Sequence, residues 1–256
     1  MCYDSEARPP TPPGAGGVAS GEDIVLTAKD GNRFAAYAAQ PGNPTGAQIL
    51  IFPDVRGLHQ FYKELALRFA EVGVGALAID YFGRTAGTGP RDDSFDFWPH
   101  VQKLNVQTFF TDVAAALAHL RTGAGGDRAT FTVGFCYGGS LSLVTGTQDF
   151  GLAGVIAFYS GLSRKLAGTE NIVLELAQKI RYPVLGLFGG ADQGIPEIDV
   201  HTLDQQLDKA GVEHEITIYP GAPHSFFDRR ATEFAEASAD AWQRVLNFIA
   251  SHTTRS

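Results

Sequence analysis

The sequence has few cysteines, no long apolar run and fewer basic than acidic residues. Its two cysteines, Cys2 and Cys136, lie far apart in a chain of 256 residues, which excludes a disulfide framework and favours a reducing compartment, so we expect a cytoplasmic protein. No stretch approaches the roughly 18 apolar residues of a membrane helix, and we expect no secretory signal at the N-terminus. The 20 basic and 28 acidic side chains give a net charge of −8, which argues against nucleic acid or an anionic membrane as a partner.

Cofactor motifs are also missing. Residues 134–139 are rich in glycine, but they do not follow the G-x-G-x-x-G pattern, and no Lys-Ser or Lys-Thr pair closes them, so nucleotide binding is not expected. Apart from His224, the histidines do not show the spacings of metal ligands. We therefore expect neither a nucleotide nor a metal.

The chain contains enough apolar side chains for one large core, since 44% of its residues are hydrophobic. Residues 1–21 are rich in proline, glycine and alanine and are predicted to form a flexible tail, which leaves residues 22–256 as a single domain. The Asp-Gly pair at Asp30 predicts a hairpin of two strands, 24–28 and 33–39, at the start of this domain.

From residue 48 onwards, apolar strand patterns alternate with amphipathic helix patterns. The strand patterns are uniformly apolar, as expected for parallel strands that are covered on both faces. We therefore predict an α/β fold with a mainly parallel, doubly wound sheet and helices on both faces. The irregular segment 81–100 is interpreted as part of a wall over the substrate, although a helical insertion would give the same pattern. The predicted strands are 48–52, 74–79, 130–133, 152–159, 184–188 and 215–219.

The stretch Gly134-Phe135-Cys136-Tyr137-Gly138-Gly139 joins a predicted strand directly to a helix. A residue with glycines at both second neighbours in such a turn is typical of the nucleophile elbow of α/β-hydrolases. The glycines let strand and helix approach closely while the nucleophile adopts a strained backbone conformation. Cys136 would then lie at a helix N-terminus, which favours the reactive thiolate. The alternative is a buried structural cysteine.

Asp192 and His224 follow later predicted strands, in the order nucleophile, acid, histidine of the α/β-hydrolase triad. The carboxyl ends of parallel strands meet at one edge of a sheet, so we expect the three side chains to meet. His224 would exchange protons and Asp192 would orient its ring. Taken alone, Asp192 fits a turn or a helix cap, and His224 fits an exposed loop. Backbone N–H groups of Tyr137 and Val55 are predicted to form the oxyanion hole.

These motifs resemble those of the dienelactone hydrolase (carboxymethylenebutenolidase) family, over roughly residues 22–250. The resemblance implies hydrolysis of an enol-lactone that carries a carboxylate, without a cofactor and by a monomer. It implies that Cys136, Asp192 and His224 are the triad, and that Arg84 binds the substrate carboxylate, as charge-assisted hydrogen bonding favours. The residues that carry the resemblance are the elbow around Cys136, 189–192 with Pro196, 221–226 and 80–84.

The sequence departs from the family pattern at two positions. Asp54 stands where the family has a glutamate that interacts with the resting cysteine and modulates its ionisation. Asp228 stands where the family has a second carboxylate-binding arginine, and Arg229 and Arg230 follow it. A negative side chain at 228 would weaken selection for an anionic lactone.

Three functions remain open. The first is a cysteine-dependent hydrolase of the dienelactone type, and the second is a broader thiol carboxylesterase that acts on neutral esters. The third is a catalytically silent hydrolase fold that binds a small molecule. For the second function, aromatic side chains would line an apolar pocket, unless they belong to the core. These side chains are Phe95, Phe97, Trp98, Tyr137 and Phe226.

Overall fold

The computed structural model describes residues 7–122 and 128–253, and within these ranges eight strands form one sheet. The strands are β1 (Ala19–Thr27), β2 (Arg33–Pro41), β3 (Ala47–Phe52), β4 (Gly75–Ile79), β5 (Ala129–Phe135), β6 (Gly154–Phe158), β7 (Val184–Gly189) and β8 (His214–Tyr219). Their order across the sheet is β1-β2-β4-β3-β5-β6-β7-β8.

The sheet confirms the predicted α/β fold. Strands β1 and β2 form an antiparallel hairpin, β2 pairs antiparallel with β4, and all further pairs are parallel. Every residue of β3, β4, β6 and β7 is buried. This full burial explains why these strands lack the alternation of polar and apolar residues, since layers of protein cover both faces of the sheet.

Helices connect the parallel strands. The spacing of the apolar residues explains the longer helices, because each of them buries one face. The buried residues include Phe61, Leu65 and Phe69 in the first helix, and Val245 and Phe248 in the last. None of the helices in the described ranges is long and apolar enough to cross a membrane. The helices are α1 (Gln60–Glu71), α2 (Gly83–Ala86), α3 (Trp98–Lys103), α4 (Val106–Thr122), α5 (Tyr137–Thr145), α6 (Val173–Leu176), α7 (Glu197–Ala210) and α8 (Ala235–His252), and a 3-10 turn spans Ala177–Lys179.

The N-terminal segment packs against the rest of the chain. Strand β1 begins at Ala19, and the indole N–H of Trp242 in α8 donates to the carbonyl oxygen of Pro10 at 2.8 Å. For residues 7–21 the structure therefore differs from the predicted flexible tail, because backbone hydrogen bonds hold a segment that has few apolar side chains. Residues 1–6 of that prediction lie outside the described residues.

Segment 81–100 contains α2 and the start of α3 between irregular turns, so the helical alternative holds for part of it. A buried ion pair fixes this segment to the end of β4: the guanidinium of Arg91 lies 2.7 Å from the carboxylate of Asp80, and both side chains are at most 3% exposed. The same guanidinium lies over the ring of Phe95 at 4.6 Å. Phe95 therefore packs within the segment.

Candidate active site

Cys136 lies at a sharp turn between β5 and α5. Its φ of 55° and ψ of −114° are strained for a residue with a side chain. A Cβ on Gly134 would overlap the carbonyl oxygen of Gly138, and a Cβ on Gly138 would overlap that of Pro53. The two glycines are therefore required by close approach of the backbone, which is the geometry of a nucleophile elbow.

Backbone strain is concentrated around this elbow. Among the described residues, Cys136, Tyr159 and Ser225 are the only ones other than glycine with a positive φ, at 55°, 34° and 62°. They stand in the loops that follow β5, β6 and β8, and Ser225 is the neighbour of His224. Strained residues persist where the surrounding structure holds them, and they cluster at functional sites. The three loops thus share one feature of an active site.

Asp192 and His224 meet as the order of motifs predicts. Atom Oδ2 of Asp192 lies 2.6 Å from Nδ1 of His224, and Oδ1 accepts a hydrogen bond from the backbone N–H of Gly194 at 2.9 Å. The Asp192 side chain is 3% exposed and that of His224 is 32% exposed. The buried carboxylate can therefore orient the ring through Nδ1, which leaves Nε2 for proton transfer on the accessible side.

A cavity of about 720 Å³ opens at this edge of the sheet and brings most of the predicted site residues together. Among the described residues, no protein acceptor takes a hydrogen bond from the backbone N–H of Val55 or of Tyr137. Both groups therefore suit an oxyanion hole. The predicted site residues that line the cavity are Cys136, Asp192, His224, Val55, Tyr137 and Trp98, and Phe97 lies beside Trp98.

Two predicted substrate-binding residues do not line the cavity. Arg84 lies on α2, where its guanidinium forms ion pairs at 2.8 Å with both Asp30 and Asp112. Phe226 is fully buried, with its ring centroid 5.7 Å from that of Tyr159. The prediction for Arg84 is corrected because two carboxylates hold it elsewhere, and the prediction for Phe226 is corrected because its ring belongs to the core.

Three other arginines line the cavity. Arg164, Arg229 and Arg230 line it, and the guanidinium of Arg164 lies 5.7 Å from the ring centroid of Tyr137. Arg230 also forms hydrogen bonds with Glu233. No sequence pattern indicated Arg164, because it lies in an irregular segment after β6 rather than directly after a strand.

Asp54 is fully buried in the loop that follows β3. Its Oδ1 accepts a hydrogen bond from the backbone N–H of Arg56 at 2.9 Å. Burial raises the pKa of Asp54 to about 6, although the contact with Arg56 and the charges of Arg56 and His224 act in the opposite direction. The carboxyl group is therefore close enough to His224 for the two charges to interact.

Asp228 does not face the cavity. It is 2% exposed, and its Oδ2 accepts a hydrogen bond from the hydroxyl group of Tyr159 at 2.9 Å. The expectation that a negative side chain at 228 repels an anionic substrate is therefore wrong, because the carboxyl group points into the core while Arg229 and Arg230 line the cavity.

The mainly parallel sheet, the strained elbow after β5 and the acid-histidine pair after β7 and β8 define an α/β-hydrolase. Within this class, residues 34–253 match the sequence model of the dienelactone hydrolase family. The chain therefore belongs to the dienelactone hydrolase family, and it is a carboxylic ester hydrolase, as the resemblance of its motifs implies.

Known proteins similar to the chain agree with this membership. A "Putative carboxymethylenebutenolidase" from Salmonella typhimurium is 30% identical over 254 residues, which cover 94% of this chain and 90% of the relative. One of the same name from Yersinia pestis is 28% identical over 246 residues, covering 92% and 90%. The crystal structure of a "Putative Dienelactone Hydrolase" from Klebsiella pneumoniae superposes with a TM-score of 0.80 at 26% identity, covering 91% of this chain and 99% of that one.

Proposed function

We propose that this protein opens a lactone or an enol ester through a Cys136-His224-Asp192 triad and a covalent acyl-thioester intermediate. The observation that carries the proposal is the 2.6 Å contact between Asp192 and His224 in the cavity that the strained Cys136 also lines. Family membership supports the reaction class, whereas the role of each residue is our inference from its position.

In the first half of the reaction, the thiolate sulfur of Cys136 adds to the substrate's carbonyl carbon and a C–S bond forms. The N–H groups of Val55 and Tyr137 stabilise the negative oxygen, and each donor of this kind is worth about 3 kcal/mol. Collapse of the intermediate breaks the C–O bond, and His224 gives its proton to the leaving enolate.

In the second half, water hydrolyses the thioester. His224 accepts a proton from the water at Nε2, the water oxygen adds to the thioester carbon, and the C–S bond breaks. The product is the ring-opened acid, and Cys136 leaves as the thiolate. Asp54 modulates the ionisation of this cysteine-histidine pair through its buried charge, which the electrostatic interaction of its carboxyl group with His224 supports.

The charges and rings at the cavity support a flat substrate with an anionic group. Arg164 and Arg229 are positioned at the cavity to bind a carboxylate, and Phe97 and Trp98 offer an apolar wall for the rest of the substrate. Arg84 takes no part, because its two ion pairs hold it outside the cavity. The substrate is therefore a carboxylated lactone or enol ester that is recognised by arginines other than the expected one.

A neutral ester is the second candidate substrate, since Phe97, Trp98 and Phe234 make much of the cavity wall aromatic. Hydrolysis of a carboxylated dienelactone and of its neutral methyl ester separates the two functions. We expect a kcat/KM roughly tenfold or more higher for the acid, because a charge-assisted hydrogen bond contributes about 1.5–3 kcal/mol. Equal kcat/KM values would favour the broader carboxylesterase.

Substitutions test which arginine binds the carboxylate. Arg164→Ala should lower kcat/KM for the carboxylated lactone roughly tenfold and leave the methyl ester within about threefold of wild type. Arg84→Ala is the matched control, because it removes the same charge outside the cavity and should change neither rate. A loss with Arg84→Ala and none with Arg164→Ala would contradict the proposed substrate site.

Alkylation tests the nucleophile. In a Cys2→Ser background, which leaves Cys136 as the single thiol of the sequence, iodoacetamide should abolish turnover. Turnover that survives full alkylation would contradict the role of Cys136. A protein that binds the lactone but never hydrolyses it would instead be the catalytically silent binder.

The reduced thiol also suits a reducing compartment, so we propose that the enzyme acts in the cytoplasm. We propose a monomer as well, on the family resemblance. Size-exclusion chromatography with light scattering tests this state, and a stable dimer would contradict it.

A further inference from the structure

Asp228 is a buried carboxyl group behind the catalytic histidine, and the proposed reaction does not use it. Asp228 is only 2% exposed, although it lies four positions after His224 in the chain. The backbone N–H of Arg229 donates to its Oδ1, and the hydroxyl group of Tyr159 donates to its Oδ2 at 2.9 Å. Both oxygens are thus held, and the side chain has one defined position.

Tyr159 connects this carboxyl group to the ring of His224. The tyrosine is fully buried, it follows β6 with a φ of 34°, and its backbone N–H donates to the carbonyl oxygen of Leu187 at 2.8 Å. Its ring centroid lies 5.0 Å from that of His224. The backbone and the hydroxyl group of Tyr159 are therefore anchored at opposite ends, and the ring between them packs against the imidazole.

We propose that Tyr159 and Asp228 form a positioning pair that holds the His224 ring from behind. Asp192 holds the ring through a hydrogen bond at Nδ1, and Tyr159 holds it through ring packing. Two independent contacts therefore restrict the imidazole. This role rests on the proposed use of His224 in catalysis.

The surroundings of Asp228 explain why it is uncharged. The groups that face it are the carboxyl group of Asp54 from the loop after β3, the Tyr159 hydroxyl from the loop after β6, and His224 and the Arg229 N–H on its own loop. No Arg or Lys side chain in the described part of the chain forms an ion pair with Asp228. Burial, and then the charge of Asp54, raise the pKa of Asp228 to about 8, although the hydrogen bonds from the Arg229 N–H and the Tyr159 hydroxyl and the charge of His224 act in the opposite direction. In the proposed pair Asp228 is therefore an uncharged carboxylic acid at neutral pH.

A charge at 228 would also disturb the site. His224 already faces the carboxylate of Asp192, and the charge of Asp54 also acts on it. An ionised Asp228 would be a further anion behind the same ring and would compete with Asp192 for the charged imidazolium. The neutral form does not add this competitor.

The first test reads the position of His224 without any substrate. In the proposed triad, the rate at which iodoacetamide alkylates Cys136 at pH 7, in the Cys2→Ser background, depends on His224, which lines the same cavity. Asp228→Asn keeps the shape of the uncharged acid and should stay within about threefold of the parent rate, whereas Asp228→Ala should react at least roughly tenfold more slowly. Asp112→Asn, which changes a buried carboxyl group beside Arg84, is the control and should not alter the rate.

Two results of this test would overturn the proposal. An Asp228→Asn rate as low as that of Asp228→Ala would show that the charged form is needed. An Asp228→Ala rate equal to the parent rate would show that the pair does not position His224.

The second test reads the charge of Asp228 from stability. A carboxyl group with a pKa of about 8 in the folded protein and roughly 4 in the unfolded chain makes the folded state less stable as the pH rises between those values. Asparagine does not titrate. From pH 5 to pH 8, the ratio of the unfolding constants of the parent and Asp228→Asn should therefore rise by up to about tenfold per pH unit. A ratio independent of pH would overturn the uncharged form.

These tests separate the two proposals. Neither readout requires turnover, so a chain that fails to hydrolyse lactones would contradict the proposed function alone. The expected alkylation and stability results for the variants at 228 would still stand or fail by themselves.

Discussion

The buried ion pair between Arg91 and Asp80 yields a prediction about the wall of the site. It fixes segment 81–100, which carries Trp98 to the cavity, to the end of β4. The Arg91 guanidinium also donates to the carbonyl oxygens of Gly87 at 2.7 Å and Gly89 at 2.9 Å. Replacing Arg91 by leucine removes these hydrogen bonds and the charge that faces Asp80.

The cost of Arg91→Leu follows from two contributions. Two lost hydrogen bonds to backbone carbonyls cost about 2 kcal/mol at any pH. The second contribution depends on pH, because burial raises the pKa of Asp80 to about 6 even with Arg91 in place. This folded-state pKa is above the unfolded value, so the wild type loses about 3 kcal/mol of stability as the pH rises from roughly 4 to 6, and no more above that.

Without Arg91, the pKa of Asp80 moves above 6. The stability of Arg91→Leu then continues to fall above pH 6, by up to about 1.4 kcal/mol per pH unit, while that of the wild type stays level with respect to this group. We therefore expect a loss of about 2 kcal/mol at pH 5 and up to about 5 kcal/mol at pH 8.

Urea unfolding at pH 5 and pH 8 measures these values. Adding Asp80→Asn to Arg91→Leu should remove the difference between the two pH values, since no carboxyl group is left to titrate. Arg68→Leu is the control, because it breaks a partly exposed pair with Glu71 and should cost less than about 1 kcal/mol at both pH values. Equal losses for Arg91→Leu at pH 5 and pH 8 would refute the reasoning.

Three further predictions follow from the elbow, the triad and the N-terminal segment. Gly138→Ala should cost at least about 3 kcal/mol in urea unfolding, because its Cβ would overlap the carbonyl oxygen of Pro53, and a stable variant would contradict this contact. Asp192→Asn should lower kcat on the carboxylated lactone by about 10²-fold or more with KM little changed, and an unchanged kcat would exclude it from the triad. Trp242→Phe should cost about 1 kcal/mol and speed proteolysis near Pro10, and equal proteolysis would show that the indole contact does not hold the segment.

The strands and the elbow could be predicted because local sequence determines them. Uniform apolar runs indicate buried parallel strands, and the Gly-x-Cys-x-Gly pattern is local, with Gly134 required by a contact with Gly138 four residues on. The contact that requires Gly138 is with Pro53 and is not visible in the local sequence. Arg84 could not be placed in the same way, because its direction depends on Asp30 and Asp112, which are distant in the chain. The burial of Asp228 likewise depends on Tyr159, which comes from another loop.

The structure of the N-terminal segment could not be predicted from its sequence for a different reason. Few apolar residues normally indicate flexibility, because little surface can be buried to offset the lost chain entropy. Here backbone hydrogen bonds of β1 and the contact between Trp242 and Pro10 hold the segment instead. These contacts leave no pattern in the segment's own composition.

The most direct test of the central claim is the mass of the protein during turnover of a carboxylated dienelactone. In a lactone the leaving oxygen stays attached to the acyl group, so the acyl-enzyme is heavier by the whole mass of the substrate. Rapid acid quench should show this adduct on the peptide that contains Cys136, and Cys136→Ala should show neither adduct nor turnover. An adduct on another residue, or turnover by Cys136→Ala at the wild-type rate, would contradict the account.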